Sequence, residues 1–107
     1  MRFLLLVIDD PLEEGHRPGE LDAAGWVADM EARGVRVTGG RVRAADARTV
    51  RVREDGVRVT EGPFADTVET IGGFDVIECR DLDEAVELVA THPVARYGQV
   101  EIRPFWQ

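Results

Sequence analysis

The stretch VTEGPFADTVETIGGF, residues 59–74, decides the reading of this chain. A strand-like run ends in Glu61, Gly62, Pro63 and Phe64, and a second begins at Gly72, Gly73 and Phe74. Between them lies a short loop with a Gly-Pro step at one end and a Gly-Gly step at the other. Two functions fit such a loop. The glycines and the proline can fix a turn at a sheet corner, because glycine reaches positive φ and proline presets its own. Alternatively, the exposed backbone can cradle an anion. In the first reading Phe64 is a core plug, and Gly62, Pro63, Gly72 and Gly73 shape the corner.

Upstream of that loop, TVRVREDGVRVT (residues 49–60) reads as a hairpin. Val50 and Val52 alternate with Arg51 and Arg53, and after Asp55 and Gly56 the alternation resumes with Val57 and Val59. An Asp-Gly pair suits a tight turn with positive φ, whose twist matches that of paired strands. Downstream, Phe74 to Cys79 reads as a strand and Asp81 to His92 as a helix. Asp81 is placed to cap this helix and Glu84 to reach back, as in a capping box. Its apolar stripe is Leu82, Ala85, Val86 and Val89, and Pro93 ends it. The closing QVEIRPF (residues 99–105) alternates as a last strand, with Pro104 suiting an edge or a strand end.

Towards the N-terminus, Phe3 to Ile8 is a continuous apolar run, as expected of a strand covered on both faces. It is too short for the core of a signal peptide and reads as a strand. The acidic DDPLEEGHRPGE (residues 9–20) reads as a loop long enough to serve as a lid. Leu21 to Arg33 reads as a helix with the stripe Ala23, Trp26, Val27 and Met30, stopped by Gly34. Val35 to Val42 completes the set as a strand. The order is β-α-β-β-α-β with a hairpin elaborated in the middle, which is the ferredoxin-like α+β arrangement in a single domain spanning residues 1–107. Two helices cover one face of such a sheet, so a second copy of the chain is the simplest cover for the other, and a homodimer is expected.

Composition narrows the function classes. The 107 residues carry 21 acids and 13 basic residues, for a net charge of −8. No basic surplus exists to displace counterions from nucleic acid or to hold an anionic membrane surface. Every basic residue is arginine, so Schiff-base chemistry and a lysine general base are excluded. Cys79 is the single cysteine, which excludes an intrachain disulfide and points to the cytoplasm. No metal-ligand spacing and no Gly-rich nucleotide loop occurs, so no cofactor is expected.

The segment at residues 59–74 resembles the signature of the YCII-related (DGPF) proteins, in which a strand ends in Asp-Gly-Pro-Phe and is followed by Ala-Glu-Thr-Lys-Glu and then Gly-Gly-Tyr or Gly-Gly-Phe. The closing HPVARYGQVEIRPFW (residues 92–106) is similar to that family's usual ending, and LDEAVELVATHP (residues 82–93) matches the helix between. The resemblance implies a ferredoxin-like fold that forms a dimeric α/β barrel. It also implies a largely uncharacterised activity: relatives in the wider group are proposed enzymes with a His-Asp pair, one of them a dehydrochlorinase. Many members are encoded beside extracytoplasmic-function sigma factors, so a role as a sigma-factor accessory is a second implication. This chain departs from the pattern at Glu61, where Asp is usual, and at Val68, where Lys is usual. Its first helix contains no histidine, and the nearest is His16.

Three residues emerge as candidate catalytic groups. His92, at the end of the second helix, would be favoured as an imidazolium by the helix dipole; it is either an ordinary helix-end residue or a general acid or base lining a cavity. Glu101 and Arg103 share one face of the last strand, opposite Val100 and Ile102. They are either a structural ion pair or an anion-receiving arginine beside a carboxylate for proton transfer. Asp9 and Asp10 follow the first strand, where site residues often lie. His16 matters if the acidic loop folds over the open face. Asp9, Asp10, His16, Glu61, Gly62, Pro63 and Phe64 are thus the loop and cavity candidates. The expected function is binding or transformation of a small organic molecule, an anion among the candidates, in a cavity near the dimer interface. The alternative is a non-catalytic interaction module using the acidic surface.

Overall fold

A computed structural model describes residues 1–65 and 67–106. Four strands form one antiparallel sheet: β1 (Arg2–Asp9), β2 (Arg36–Arg41), β5 (Thr70–Glu78) and β6 (Gln99–Pro104), in the order β2-β5-β1-β6. With the hairpin set aside this is the ferredoxin-like order. Within one chain the sheet is open and does not close into a barrel. Helices α1 (Ala23–Ala32), α2 (Leu82–Val89) and the one-turn α3 (Val94–Tyr97) accompany it, and the hairpin β3 (Arg48–Arg53) and β4 (Gly56–Glu61) forms a separate two-stranded ribbon. No helix among the described residues is long and apolar enough to cross a membrane.

Side-chain alternation divides the sheet into two faces. Phe3 pairs with Ile77 and Pro104, and Leu5 with Asp75 and Ile102, so these residues share the helix-covered face. Phe3, Leu5 and Ile77 are buried there against Trp26 and Met30 of α1 and Ala85, Leu88 and Val89 of α2, with Val100 and Ile102 packed at the margin. Leu4, Leu6, Phe74 and Val76 occupy the opposite face, which no element of the same chain covers, and they remain half-buried. The continuous apolar run of β1 therefore supplies one covered and one open row.

The helix ends follow capping chemistry. The Asp22 carboxylate accepts the Gly25 N–H at 2.7 Å, and the Asp81 carboxylate accepts the Glu84 N–H at 2.9 Å. Glu84 reaches back one residue further than a capping box requires, accepting the Arg80 N–H at 3.0 Å. Gly34 takes φ +69° just after α1, as a helix stop does. Trp26 locks the two helices together: its Nε1–H donates to the Leu88 carbonyl at 3.2 Å and to Thr91 Oγ1 at 3.0 Å, and its indole is fully buried.

Four expectations are corrected. The hairpin forms, but its two-residue tip is Glu54 and Asp55, both at negative φ, and the positive φ of +121° falls on Gly56, opposite Arg53. Of the glycines framing residues 59–74, only Gly62 has positive φ, at +95°. Gly72 and Gly73 instead lie inside β5, where the register against β1 jumps from Val7–Gly73 to Ile8–Ile71. Gly72 is the extra residue of a β-bulge, a feature that recurs beside active sites. Phe64 is no core plug: it is 81% exposed. His92 lies past the end of α2, because Pro93 closes that helix and opens α3.

Candidate functional site

A cleft of about 850 Å³ lies between α1 and the helix-side face of the sheet. Val7, Val27 and Val94 supply apolar wall, while Asp9, Arg36, Arg41, Asp75 and His92 supply the polar groups. Each arrives by a separate route. Asp9 ends β1 opposite Thr70, Asp75 points inward from β5 because it shares the alternation of Ile77, and Arg36 and Arg41 bracket β2. His92 comes from the turn between α2 and α3.

His92 is 4% exposed, and its ring packs against Trp26 with centroids 4.7 Å apart. Its Nδ1 accepts the Val94 N–H at 3.1 Å. That bond fixes the neutral ring with its proton on Nε2. Nε2 bonds to no other described residue, and no buried side-chain nitrogen or oxygen among them is left without a partner, so this atom keeps access to the cleft. Burial pushes the His92 pKa below the ordinary imidazole value, against the opposing pull of the Asp75 and Asp9 carboxylates. The helix-dipole expectation of a favoured imidazolium is therefore reversed.

Asp75 is 5% exposed, and its Oδ1 accepts the Arg36 Nε–H at 2.7 Å. Arg36 also donates from Nη1 to Glu31 of α1 at 2.7 Å. Burial works against the Arg36 charge, but the Asp75 and Glu31 carboxylates outweigh it and raise its pKa. The two acids and one guanidinium form the floor and rim of the cleft. Gly39 permits the arrangement, because a Cβ there would lie 2.5 Å from Arg36 Nη2, from Asp75 Oδ1 and from the Phe74 carbonyl oxygen. Gly72 does the same for Asp9: a Cβ on Gly72 would overlap the Asp9 carboxylate oxygen Oδ2 and touch little else. Asp9 and Arg41 form no ion pair with another described residue. Once Arg36 is matched to its two acids and Asp22 to the N-terminus of α1, the titratable groups still open to a ligand are one carboxylate, one guanidinium and one imidazole N–H, with Thr70 also in the lining.

The structure separates the three candidate catalytic groups. His92 lines this cleft, whereas Glu101 and Arg103 project from β6 on the opposite face, paired across β1 with Leu6 and Leu4. They are bonded to each other, Arg103 Nε–H donating to Glu101 Oε2, and both are well exposed in the single chain. The orientation expected from Val100 and Ile102 is thus found, but the sheet stands between this pair and His92.

The remaining candidates scatter. Asp10 stays a turn residue, its carboxylate accepting the Leu12 N–H at 3.0 Å. His16 lies in the acidic loop, its Nε2 at 2.8 Å from the Glu20 carbonyl oxygen. That loop is tied to α3: Arg96 grips the Glu20 carboxylate through Nε and Nη2 and donates to the Gly15 carbonyl at 2.7 Å. The Arg96 guanidinium and the Arg17 N–H together drive the Glu20 pKa down to about 2. No residue from Asp10 to Leu21 lines the cleft. Glu61 reaches Arg48 at 3.9 Å on the hairpin surface, and the Gly62 N–H donates to the Ala47 carbonyl at 2.8 Å. Pro63 and Phe64 line a second, more apolar groove of about 890 Å³ at the hairpin root, with Val42, Val50 and Ile71.

Sequence reasoning missed Asp75, Arg36 and Arg41. A signal for Asp75 was present: in GFDVIE (residues 73–78) the alternation that buries Ile77 buries Asp75 as well, and a carboxylate at an inward position demands a cation. Nothing local marked Arg36 as that cation.

Two comparisons bear on this geometry. An uncharacterized protein of Rhizobium meliloti (strain 1021) is 38% identical over 60 residues, which cover 54% of this chain and 48% of the relative. The chain thus spans about half the length of the curated relative it matches. The model of the YCII-related domain matches residues 1–107, the same span that carries the four-stranded sheet, the β5 bulge and the cleft, and the chain belongs to the YCII-related family.

Proposed function

We propose that this chain binds or transforms a small organic molecule in the cleft between α1 and the sheet, with His92, Asp9 and Arg41 as the groups that meet the ligand. The observation that carries the reading is His92: buried, neutral, fixed in one tautomer by the Val94 N–H, and lining a cleft large enough for a small molecule. An Nε2–H held in place donates to a ligand oxygen, Arg41 pairs with a carboxylate or enolate, and Asp9 accepts a proton. Asp75 and Arg36 act through others by holding the floor of the cleft. In this reading Glu101 and Arg103 belong to a different surface, the open sheet face, which a second copy of the chain covers in a two-fold dimer.

The test is a thermal-shift survey of the purified protein with small monocarboxylates, hydroxy acids, chlorinated aromatic acids and neutral analogues of each. Binders are expected among the acids. Their shift should shrink in Arg41→Ala and in His92→Asn and persist in Arg103→Ala. Binding that survives both cleft variants and disappears in Arg103→Ala would move the site to the other face. A second reading, a non-catalytic interaction module, is favoured by one observation, the bare apolar face of the β3–β4 hairpin.

A further inference from the structure

That hairpin carries the chain's least explained surface. Val50 pairs with Val59 and Val52 with Val57, so all four side chains stand on one face of the ribbon. They are 60%, 62%, 64% and 68% exposed for Val50, Val59, Val52 and Val57, and the principal packing of β3 and β4 is against each other. An isolated two-stranded hairpin is marginal in water, and four contiguous valines on its surface make it more costly to leave bare.

The shape of the whole molecule points the same way. The radius of gyration is 15.9 Å, against about 13 Å for a compact domain of roughly 100 residues. Its shortest extent is 19 Å, about the thickness of one sheet and one helix layer. The protein is a thin slab with an arm, and the slab's open face carries its own half-buried apolar row of Leu4, Leu6, Phe74 and Val76. Charge selects the occupant. Residues 48–61 hold four arginines and three acids, whereas the rest of the chain holds nine arginines and eighteen acids. The arm is net positive and the body strongly negative, so two bodies repel while each arm is attracted to the other body.

We infer that the β3–β4 hairpin is a dimerisation arm whose valine face packs on a second copy of this chain, at the apolar open face of the partner's sheet. This rests on the two-fold dimer of the preceding reading and adds the element that secures it. One symmetric association then covers both bare surfaces at once, as an isologous interface does.

Light scattering over a range of micromolar concentrations tests the inference with three proteins. The wild type should have twice the chain mass. Val52→Glu with Val57→Glu should be monomeric or have its dissociation constant raised at least about tenfold, with the far-ultraviolet spectrum and core melting retained. Val52→Thr with Val57→Thr keeps the branched shape and strand propensity, so weakening in that variant is lost apolar contact and not a melted hairpin. A monomeric wild type overturns both the dimer and the arm. A wild-type dimer that both double variants leave intact overturns the arm alone and leaves the sheet-face dimer standing.

Discussion

Replacing Gly39 with alanine is the most demanding test of the cleft's architecture. The added methyl meets three atoms at 2.5 Å: Arg36 Nη2, Asp75 Oδ1 and the Phe74 carbonyl oxygen. The carbonyl belongs to the neighbouring strand and cannot retreat without breaking the β2–β5 ladder. The other two atoms are the partners of an ion pair whose side chains are 14% and 7% exposed. Overpacking alone costs about 1–3 kcal/mol, and separating a buried pair costs about 3–5 kcal/mol. The two share one cause, so they do not simply add, and a loss of about 3–5 kcal/mol is expected. With a melting shift of roughly 4–8 °C per kcal/mol for a domain of this size, the midpoint should fall by at least about 12 °C. Urea unfolding of the wild type and Gly39→Ala, followed by circular dichroism, measures the difference. Repeating the substitution in an Arg36→Met, Asp75→Leu background separates the two contributions. There the pair is gone, and the remaining cost should drop to about 1–3 kcal/mol, the range for overpacking. If Gly39→Ala in the native background melts within 2 °C of wild type, a shift worth about 0.5 kcal/mol or less, the close approach of β2 to the Arg36–Asp75 pair is wrong.

Gly72→Ala should behave in the opposite way. Its methyl overlaps only the tip of the Asp9 side chain, which is free to rotate off, so melting should change by less than about 1 kcal/mol while a cleft ligand found by the thermal-shift survey loses affinity. Unchanged affinity would remove Asp9 from the site. Trp26→Ala should cost about 3–5 kcal/mol in urea unfolding, since the indole is fully buried and its N–H bridges α1 to Leu88 and Thr91; a loss under 1 kcal/mol would contradict that packing. His92 sets a pH dependence. Its pKa is lower in the folded chain than the ordinary value of 6.5, so the unfolded chain takes up the proton first. Its contribution is complete above pH 6.5 and is lost as pH falls through the lower folded value. Glu20, depressed from 4.5 to about 2, contributes above pH 4.5 and loses that contribution as pH falls towards 2. His92→Asn, which retains an acceptor for the Val94 N–H, should abolish the upper slope in unfolding free energy against pH and leave the lower one; an unchanged upper slope would show that His92 is not buried neutral.

The sequence by itself determined the order of the elements and, outside the second helix, which side faces in; in α2 Ala85 and Val89 of the expected stripe are buried, but Leu82 and Val86 are exposed and Leu88 takes the inward place. Period-two alternation separated Val100 and Ile102 from Glu101 and Arg103, and the 3.6-residue stripe placed Trp26 and Met30 inward, because side-chain direction is a local property of strand and helix. The signature between residues 59 and 74 carried the family for the same reason, as a run of adjacent residues. Tertiary structure decided what adjacency could not encode. Gly72 and Gly73 look like a corner in the sequence, yet they are a bulge because β1 registers against β5 with one residue to spare, a fact that belongs to the pair of strands. His92 looks like a helix end, yet burial against Trp26, contributed from 66 residues earlier in the chain, reverses its preferred charge. Asp75 finds Arg36 only once β2 has paired with β5, and the cleft exists only where Asp9, Arg41, Asp75 and His92 meet under α1. Direction is written in each segment, whereas proximity comes from closing the chain on itself.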